Sequence, residues 1–304
     1  MMGCAAVFLV TLLCAGAAGA PFIPQSDAEV LERLPFKASD PAMRQLRALR
    51  DQLTAEPENL AAAARLAQSY LDVGRAASDP RYTGYAQAAL APWWNLPNPP
   101  EEILVLRAAI RQRSHQFDAA LADLAAVLEA NPRNAGALLM RATILQVTGD
   151  FERAKASCGA LRPLTQELIW AACLAQAEGA TGALRKSYES LRAALGRSHG
   201  ATPGMRAWVL TGLAEMAERL GLAAEANSYF QEALAASGAD SYVLGAYAGF
   251  LLDEGRPREA VDLLTPHVRA DPLLLRYALG LRAIQSGGLS ARIEELRGRF
   301  DASR

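Results

Sequence analysis

The stretch EEILVLRAAIRQRSHQFDAALADLAAVLEANPRN, residues 101–134, reads as two helical segments joined by a short turn. The same pattern returns in units that begin at Ala135, Ala207 and Ser241. The twentieth residue of all four units is alanine, namely Ala120, Ala154, Ala226 and Ala260, and position 32 is proline in two of them, Pro132 and Pro272. A fixed period of 34 residues predicts a chain of helix-turn-helix units.

A helix pair of this kind cannot bury its apolar face alone, so neighbouring pairs must stack into a solenoid with a continuous core and a long concave surface. We therefore predict an all-α fold, a right-handed α-solenoid of about eight helix pairs, over residues 21–304 as a single domain. The predicted units are 26–59, 60–100, 101–134, 135–166, 167–206, 207–240 and 241–274, with a C-terminal cap at 275–304. Residues 75–81 are predicted to be an insertion between the helices of the second unit.

From about Ser26 to the end, the sequence resembles the tetratricopeptide-repeat (TPR) superfamily. The unit 101–134 supplies the family's small and apolar positions with Leu104, Ala108, Phe117, Ala120, Leu124, Val127 and Pro132. Arg107 at position 7 and Asp123 at position 23 predict an ion pair between the two helices. Residues 79–94 also resemble a group of exported bacterial TPR proteins of unassigned role. The resemblance implies a fold and an interaction function, and it implies no activity.

The N-terminus is free of charged side chains from Met1 to Ser26, and residues 4–20 are apolar or small. This pattern predicts a secretory signal peptide at 1–20, and an uncleaved N-terminal anchor is the alternative. We therefore expect an exported protein of the periplasm or cell envelope, which would touch the membrane only through an uncleaved N-terminus.

Composition and motifs argue against several functional classes. The 31 basic residues balance 32 acidic ones, so no basic excess indicates a nucleic-acid partner. The sequence lacks the metal, phosphate-loop and nucleophile motifs of common enzymes, and its three histidines are scattered. We expect no catalytic residue, no metal and no cofactor.

Two cysteines remain if the N-terminal segment is removed, Cys158 in a second helix and Cys173 in the next first helix. Because these helices pack together in such stacks, the two sulfurs could form a disulfide in an oxidising compartment. The alternative is that both are small buried hydrophobic residues.

The concave wall of a TPR solenoid is lined mainly by first helices, at positions 2, 5, 9, 12 and 13. In the last two regular units these positions include Trp208, Thr211, Glu215, Tyr242, Gly245 and Gly249. Two aromatic residues on neighbouring ridges offer contact area, and the glycines leave room for a partner's backbone. The alternative for Trp208 is partial burial by a neighbouring helix.

A second group of aromatic residues surrounds the insertion: Tyr82, Tyr85, Trp93 and Trp94. These residues either pack the insertion onto its own unit or form a secondary patch for a ligand.

The sequence therefore favours a non-catalytic scaffold that binds a protein or an extended peptide on its concave face. One alternative is a helical-toroid enzyme that acts on cell-wall glycan or another polymer, which Glu215 or Glu218 at the base of a deep pocket would favour. Another is a membrane-anchored structural subunit of an envelope complex. The sequence does not predict an oligomeric state.

Overall fold

The computed structural model describes residues 39–302, together with residues 26, 28, 36 and 37. Contacts divide the chain into a unit Met1–Lys37 and a unit Ala38–Arg304, and the description below concerns the second. The predicted signal peptide at 1–20 lies outside the described residues, as does most of the first helix of the first predicted unit.

The described part of the second unit is built from helices. Their bounds are α1 Pro41–Ala55, α2 Leu60–Ala77, α3 Arg81–Ala89, α4 Ala91–Trp94, α5 Glu101–Arg113, α6 Phe117–Ala130, α7 Ala135–Val147, α8 Phe151–Ala160, α9 Glu167–Ala180, α10 Leu184–Arg197, α11 Pro203–Arg219, α12 Ala223–Ser237, α13 Ser241–Asp253, α14 Pro257–Leu264, α15 Asp271–Ala283 and α16 Leu289–Ala302. A 3₁₀ turn, Thr265–His267, follows α14. None of the described helices is both long and apolar enough to span a bilayer.

Consecutive helices pack as pairs, and each pair packs on the next. Helix α5 contacts α6, α7 contacts α8, and α8 in turn contacts α9, while first helices such as α11 and α13 also contact each other. The four alanines at position 20 are fully buried, because a small side chain lets the two helices of a pair approach closely. The architecture is the predicted all-α repeat solenoid.

Several first helices begin at a polar cap that the repeat itself supplies. The last residue of three units caps the first helix of the following unit: Asn59 accepts a hydrogen bond from the Ala62 amide, Asn134 from Ala137, and Asp240 from Tyr242 and Val243. Such a side chain satisfies amides that have no partner within the helix. The cap therefore fixes where each of these units starts.

The predicted register within a unit is confirmed by the Arg107–Asp123 ion pair. Arg107 Nη2 lies 2.7 Å from Asp123 Oδ1, and its Nε donates to Oδ2 at 3.0 Å. Arg111 adds a third contact to the same carboxylate at 2.6 Å. The same two positions meet in the next unit, where Arg141 Nε donates to Ser157 Oγ at 3.0 Å.

The insertion differs from the expected turn. Helix α2 runs through Ala77 and ends at Ser78, which has a left-handed φ of 51°. Arg75, Ala76 and Ala77 are good helix formers, and the chain meets a proline only at Pro80, so the extra residues lengthen the helix. Helix α2 therefore extends beyond Gly74, where the predicted turn began.

Candidate concave cavity

Four first helices converge on a cavity of about 790 Å³. Helices α7, α9, α11 and α13 line it, together with the end of α12 and with Arg75 from the extended end of α2. The lining residues include Thr143, Gln146, Val147, Gln176, Trp208, Thr211, Glu215, Arg219, Asp240 and Tyr242. Four of the predicted concave residues therefore share one cavity: Trp208, Thr211, Glu215 and Tyr242.

Tyr242 and Glu215 are joined across the cavity wall. The Tyr242 hydroxyl donates to Glu215 Oε1 at 2.7 Å. Burial, together with the negative charge of Glu215 and its hydrogen bond, raises the pKa of Tyr242, so the hydroxyl remains a donor across the physiological range. Tyr242 nevertheless presents 67% of its surface to solvent, and it lines the cavity.

Glu215 lies in a less polar environment than a surface carboxylate. Burial raises its pKa above the ordinary value, although the hydrogen bond from Tyr242 and the charge of Arg219 oppose the shift. Burial also raises the pKa of Glu218, one helical turn along, and the negative charges of Asp253, Glu215 and Glu254 raise it further. Helix α11 therefore carries two acids that are easier to protonate than usual, and one of them, Glu215, lines the cavity.

Trp208 and Thr211 serve packing as well as the cavity. Trp208 is half-buried and packs against the core formed by α9 to α15. Thr211 is 3% exposed, and its hydroxyl donates to the Ala207 carbonyl at 2.8 Å. The indole is therefore shared between the core and the cavity, and the threonine hydroxyl is already satisfied.

The two glycines of α13 lie beside Arg276 of α15, whereas the sequence predicted space for a partner's backbone there. A Cβ at Gly245 would lie 3.7 Å from Arg276 Cζ, and a Cβ at Gly249 would lie 3.8 Å from Arg276 Nε. The guanidinium of α15 therefore occupies the space that the sequence suggested for a partner's backbone. The repeat pattern did not predict this contact of α15 with the two glycines.

The predicted aromatic patch divides into two groups. Tyr82 and Tyr85 pack with Tyr70 of α2, with ring centroids 5.6–6.1 Å apart. Trp94 instead lies under the guanidinium of Arg111, 5.7 Å from the ring centroid, and its carbonyl accepts a hydrogen bond from Arg107. Trp93 is half-buried. The tyrosines therefore hold α3 against α2, whereas Trp94 joins the buried ion-pair network.

Three cavity residues were missing from the sequence-based set although the repeat could have identified them. Thr143, Gln146 and Val147 occupy positions 9, 12 and 13 of the unit that begins at Ala135. Val147 is 64% exposed. Applying the concave positions to this earlier unit would have found all three. Gln176 and Arg75 carry no such signal, because they lie in an irregular unit and in the insertion.

A disulfide stands directly behind the cavity wall. Cys158 of α8 and Cys173 of α9 are joined at an S–S distance of 1.97 Å, with a sequence separation of 15. The Gln146 side-chain amide donates to the Cys173 carbonyl at 3.4 Å. The bridged pair thereby holds a cavity residue in place.

Among the residues that the structure describes, no group of three or more His, Cys, Asp or Glu side chains is arranged to hold a metal ion. The three histidines do not meet at the cavity lining.

Sequence comparison identifies no relative: no family model matches the chain, and no curated protein matches it significantly. Comparison of folds, in contrast, identifies similar solved structures. TTC0263, a thermophilic TPR protein of Thermus thermophilus, superposes with a TM-score of 0.51 at 21% identity, over 60% of this chain and 99% of that one. PilW, described as a type IV pilus biogenesis factor, gives 0.50 at 19% identity, over 66% and 92%.

A third solved structure, the APC/C hetero-tetramer Cut9–Hcn1, gives a TM-score of 0.56 at 14% identity. The alignment covers 84% of this chain and 49% of that one, so the present chain spans about half its length. At these identities the likeness concerns the fold. In its fold, the chain is therefore similar to tetratricopeptide-repeat solenoids.

Proposed function

We propose that the protein is a non-catalytic scaffold that binds an extended peptide segment of another protein in the concave cavity. The observation that carries the proposal is the convergence of α7, α9, α11 and α13 on one space of about 790 Å³. Its wall exposes two large apolar side chains, Val147 and Tyr242. Covering such surface contributes about 25 cal/mol per Å².

The lining suits a polypeptide backbone flanked by apolar side chains. Gln146 and Gln176 bring side-chain amide groups, and Glu215 brings a second carboxylate oxygen besides the one that accepts from Tyr242, beside the apolar faces of Val147 and Trp208. A cavity of this size lies within the range of about 300–1,000 Å³ typical of small-ligand sites. A folded domain would need about 800 Å² of surface on each partner. An extended segment therefore fits the cavity better than a folded domain does.

A second candidate, an enzyme that acts on cell-wall glycan or another polymer, is favoured by one observation: Glu215 lines the cavity with a raised pKa. Both carboxylates of the lining already have partners, however. Glu215 accepts from Tyr242, and Asp240 caps α13 and pairs with Arg75 at 3.0 Å. If the scaffold proposal is right, the purified protein releases no soluble fragments from cell-wall glycan. Release that disappears in Glu215→Gln would support the enzyme instead.

We propose the cell envelope as the site of action. The apolar N-terminal stretch and the Cys158–Cys173 bridge support this location, since disulfides persist mainly in oxidising compartments. Mass spectrometry of the mature protein separates the alternatives: loss of about the first 20 residues indicates a cleaved signal, whereas an intact N-terminus indicates an anchored subunit.

The binding proposal is tested with random linear peptides displayed on phage. Peptides are selected on the wild-type protein and counted again on two variants, Tyr242→Ala in the cavity and Tyr85→Ala outside it. The two tyrosines are matched, because both are large, half or more exposed aromatic residues. We expect enrichment on the wild type and on Tyr85→Ala but not on Tyr242→Ala. Equal enrichment on all three proteins would refute the cavity as the binding site.

A further inference from the structure

The extended end of α2 reaches across to the start of α13. Arg75 Nη1 lies 3.0 Å from Asp240 Oδ2, and Ser78 Oγ lies 2.6 Å from Ser241 Oγ. These pairs are 165 and 163 residues apart in sequence. The extra residues at 75–81 place Arg75 and Ser78 where they can make these contacts.

One of these contacts, the Arg75–Asp240 pair, borders two cavities, whereas Ser78 and Ser241 line only the second. The concave cavity of about 790 Å³ lies on one side, and a second cavity of about 400 Å³ lies on the other, lined by residues that include Gly74, Ser78, Arg113 and Ser241. Arg75, Asp240 and Tyr242 line both. These side chains therefore form the partition between the two spaces.

The partition is held by contacts that are easily broken. The Arg75 and Asp240 side chains are 61% and 23% exposed, and an ion pair this accessible is weak and screened by salt. The second cavity also contains Arg113. Burial lowers the pKa of Arg113, and the positive charge of Arg75 lowers it further. The negative charge of Asp72 raises it, but by less. Arg75 therefore interacts unfavourably with one charged neighbour, Arg113, and favourably with another, Asp240.

We propose that Arg75, Ser78, Asp240 and Ser241 form a clasp that opens to join the two cavities into one groove for a longer extended segment. The inference rests on the proposed function in one respect, the nature of the occupant. When closed, the clasp confines a bound segment to the larger cavity. When open, it lets the segment continue past Tyr242 towards Arg113.

The existence of the clasp is tested without any ligand. In the double variant Ser78→Cys/Ser241→Cys, mild oxidation should produce a 78–241 crosslinked peptide detectable by mass spectrometry. Adding Arg75→Ala, or working in high salt, should slow its formation about threefold or more, because the ion pair holds the two thiols together. Absence of the crosslink would refute the existence of the clasp. A crosslinking rate that depends on neither Arg75 nor salt would refute the role of the ion pair.

The opening is tested with a peptide selected on the wild-type protein. We expect the oxidised double variant to bind this peptide about tenfold more weakly than the matched variant Ser78→Ala/Ser241→Ala, which cannot be locked. Equal affinities would show that the peptide binds without opening of the clasp, and would refute the proposal that the clasp opens to admit it.

Failure of the proposed function and failure of the clasp give different experimental results. If no peptide is selected on the wild type at all, the proposed function fails, and so does the occupant assigned to the joined groove. The crosslinking rates, which need no peptide, still decide whether the clasp exists and what holds it.

Discussion

At the scale of single residues, a buried ion pair shows the register of the repeat. Asp123 is 4% exposed and is held by Arg107 and Arg111. The sequence predicted the Arg107–Asp123 pair from positions 7 and 23. The second arginine and the Trp94 ring beneath it were not predictable, because Trp94 belongs to the short helix α4 that interrupts the repeat.

Asp123→Ala should lower the free energy of unfolding by about 3 kcal/mol, because it leaves two guanidinium groups in a buried site without their counter-charge. Chemical denaturation followed by circular dichroism measures the change. The control is Glu294→Ala, whose pair with Arg297 is about 70% exposed on both sides and contributes little. Similar losses in the two variants would contradict a special role for Asp123.

Glu215 should make stability depend on pH in a defined direction. Its pKa in the folded protein is raised above the ordinary 4.5, so the protonated form is favoured by folding. The resulting stabilisation is complete below about pH 4.5 and is lost as the pH rises through the raised pKa. Wild-type stability relative to Glu215→Gln should therefore fall between about pH 4.5 and neutrality. A difference that is constant or rises over this range, measured by urea unfolding, would contradict the assignment.

At the scale of helices, small residues allow neighbouring helices to approach each other closely. Gly280 of α15 faces α14 so tightly that an added Cβ would lie 2.7 Å from Val261 Cγ2. Val261 is β-branched and stiff, so it cannot easily move aside. Such contacts between α14 and α15 depend on the exact rotation of one helix on the next. The sequence predicted that these helices would stack, but it did not predict which glycine would lie at the contact.

Gly280→Ala should lower the free energy of unfolding by about 1–3 kcal/mol through overpacking. Gly298→Ala on α16 is the matched change, because a Cβ there meets nothing within 4 Å. That variant should gain up to about 1 kcal/mol from helix propensity. Both values come from thermal and chemical unfolding, and stabilisation by Gly280→Ala would disprove the packing.

The disulfide between α8 and α9 is also a feature of element packing. Peptide mapping without reductant should yield a Cys158–Cys173 crosslinked peptide, and the double variant to alanine should lose about 3 kcal/mol for a loop of 15 residues. Complete alkylation of both cysteines in the unfolded, unreduced protein would rule the bridge out.

At the scale of the whole molecule, periodicity predicted more of the fold than of the site. It identified Trp208, Thr211, Glu215 and Tyr242 because nearest-neighbour stacking repeats every unit. It could not identify Arg75, since the contact with Asp240 joins residues 165 apart and depends on the accumulated curvature of the units between them. Gly245 and Gly249 were assigned to the partner's side because the rotation of α15, which brings Arg276 against them, is equally invisible to a repeat pattern.

The central claim is that an extended segment binds in the concave cavity, and its most direct test is the affinity of one selected peptide for matched tyrosine variants. Fluorescence anisotropy should show a dissociation constant at least about tenfold weaker for Tyr242→Ala than for the wild type, with Tyr85→Ala unchanged. Tyr242 is largely exposed, so its loss should leave the melting temperature nearly unchanged. Equal affinities for the wild type and Tyr242→Ala would contradict the claim.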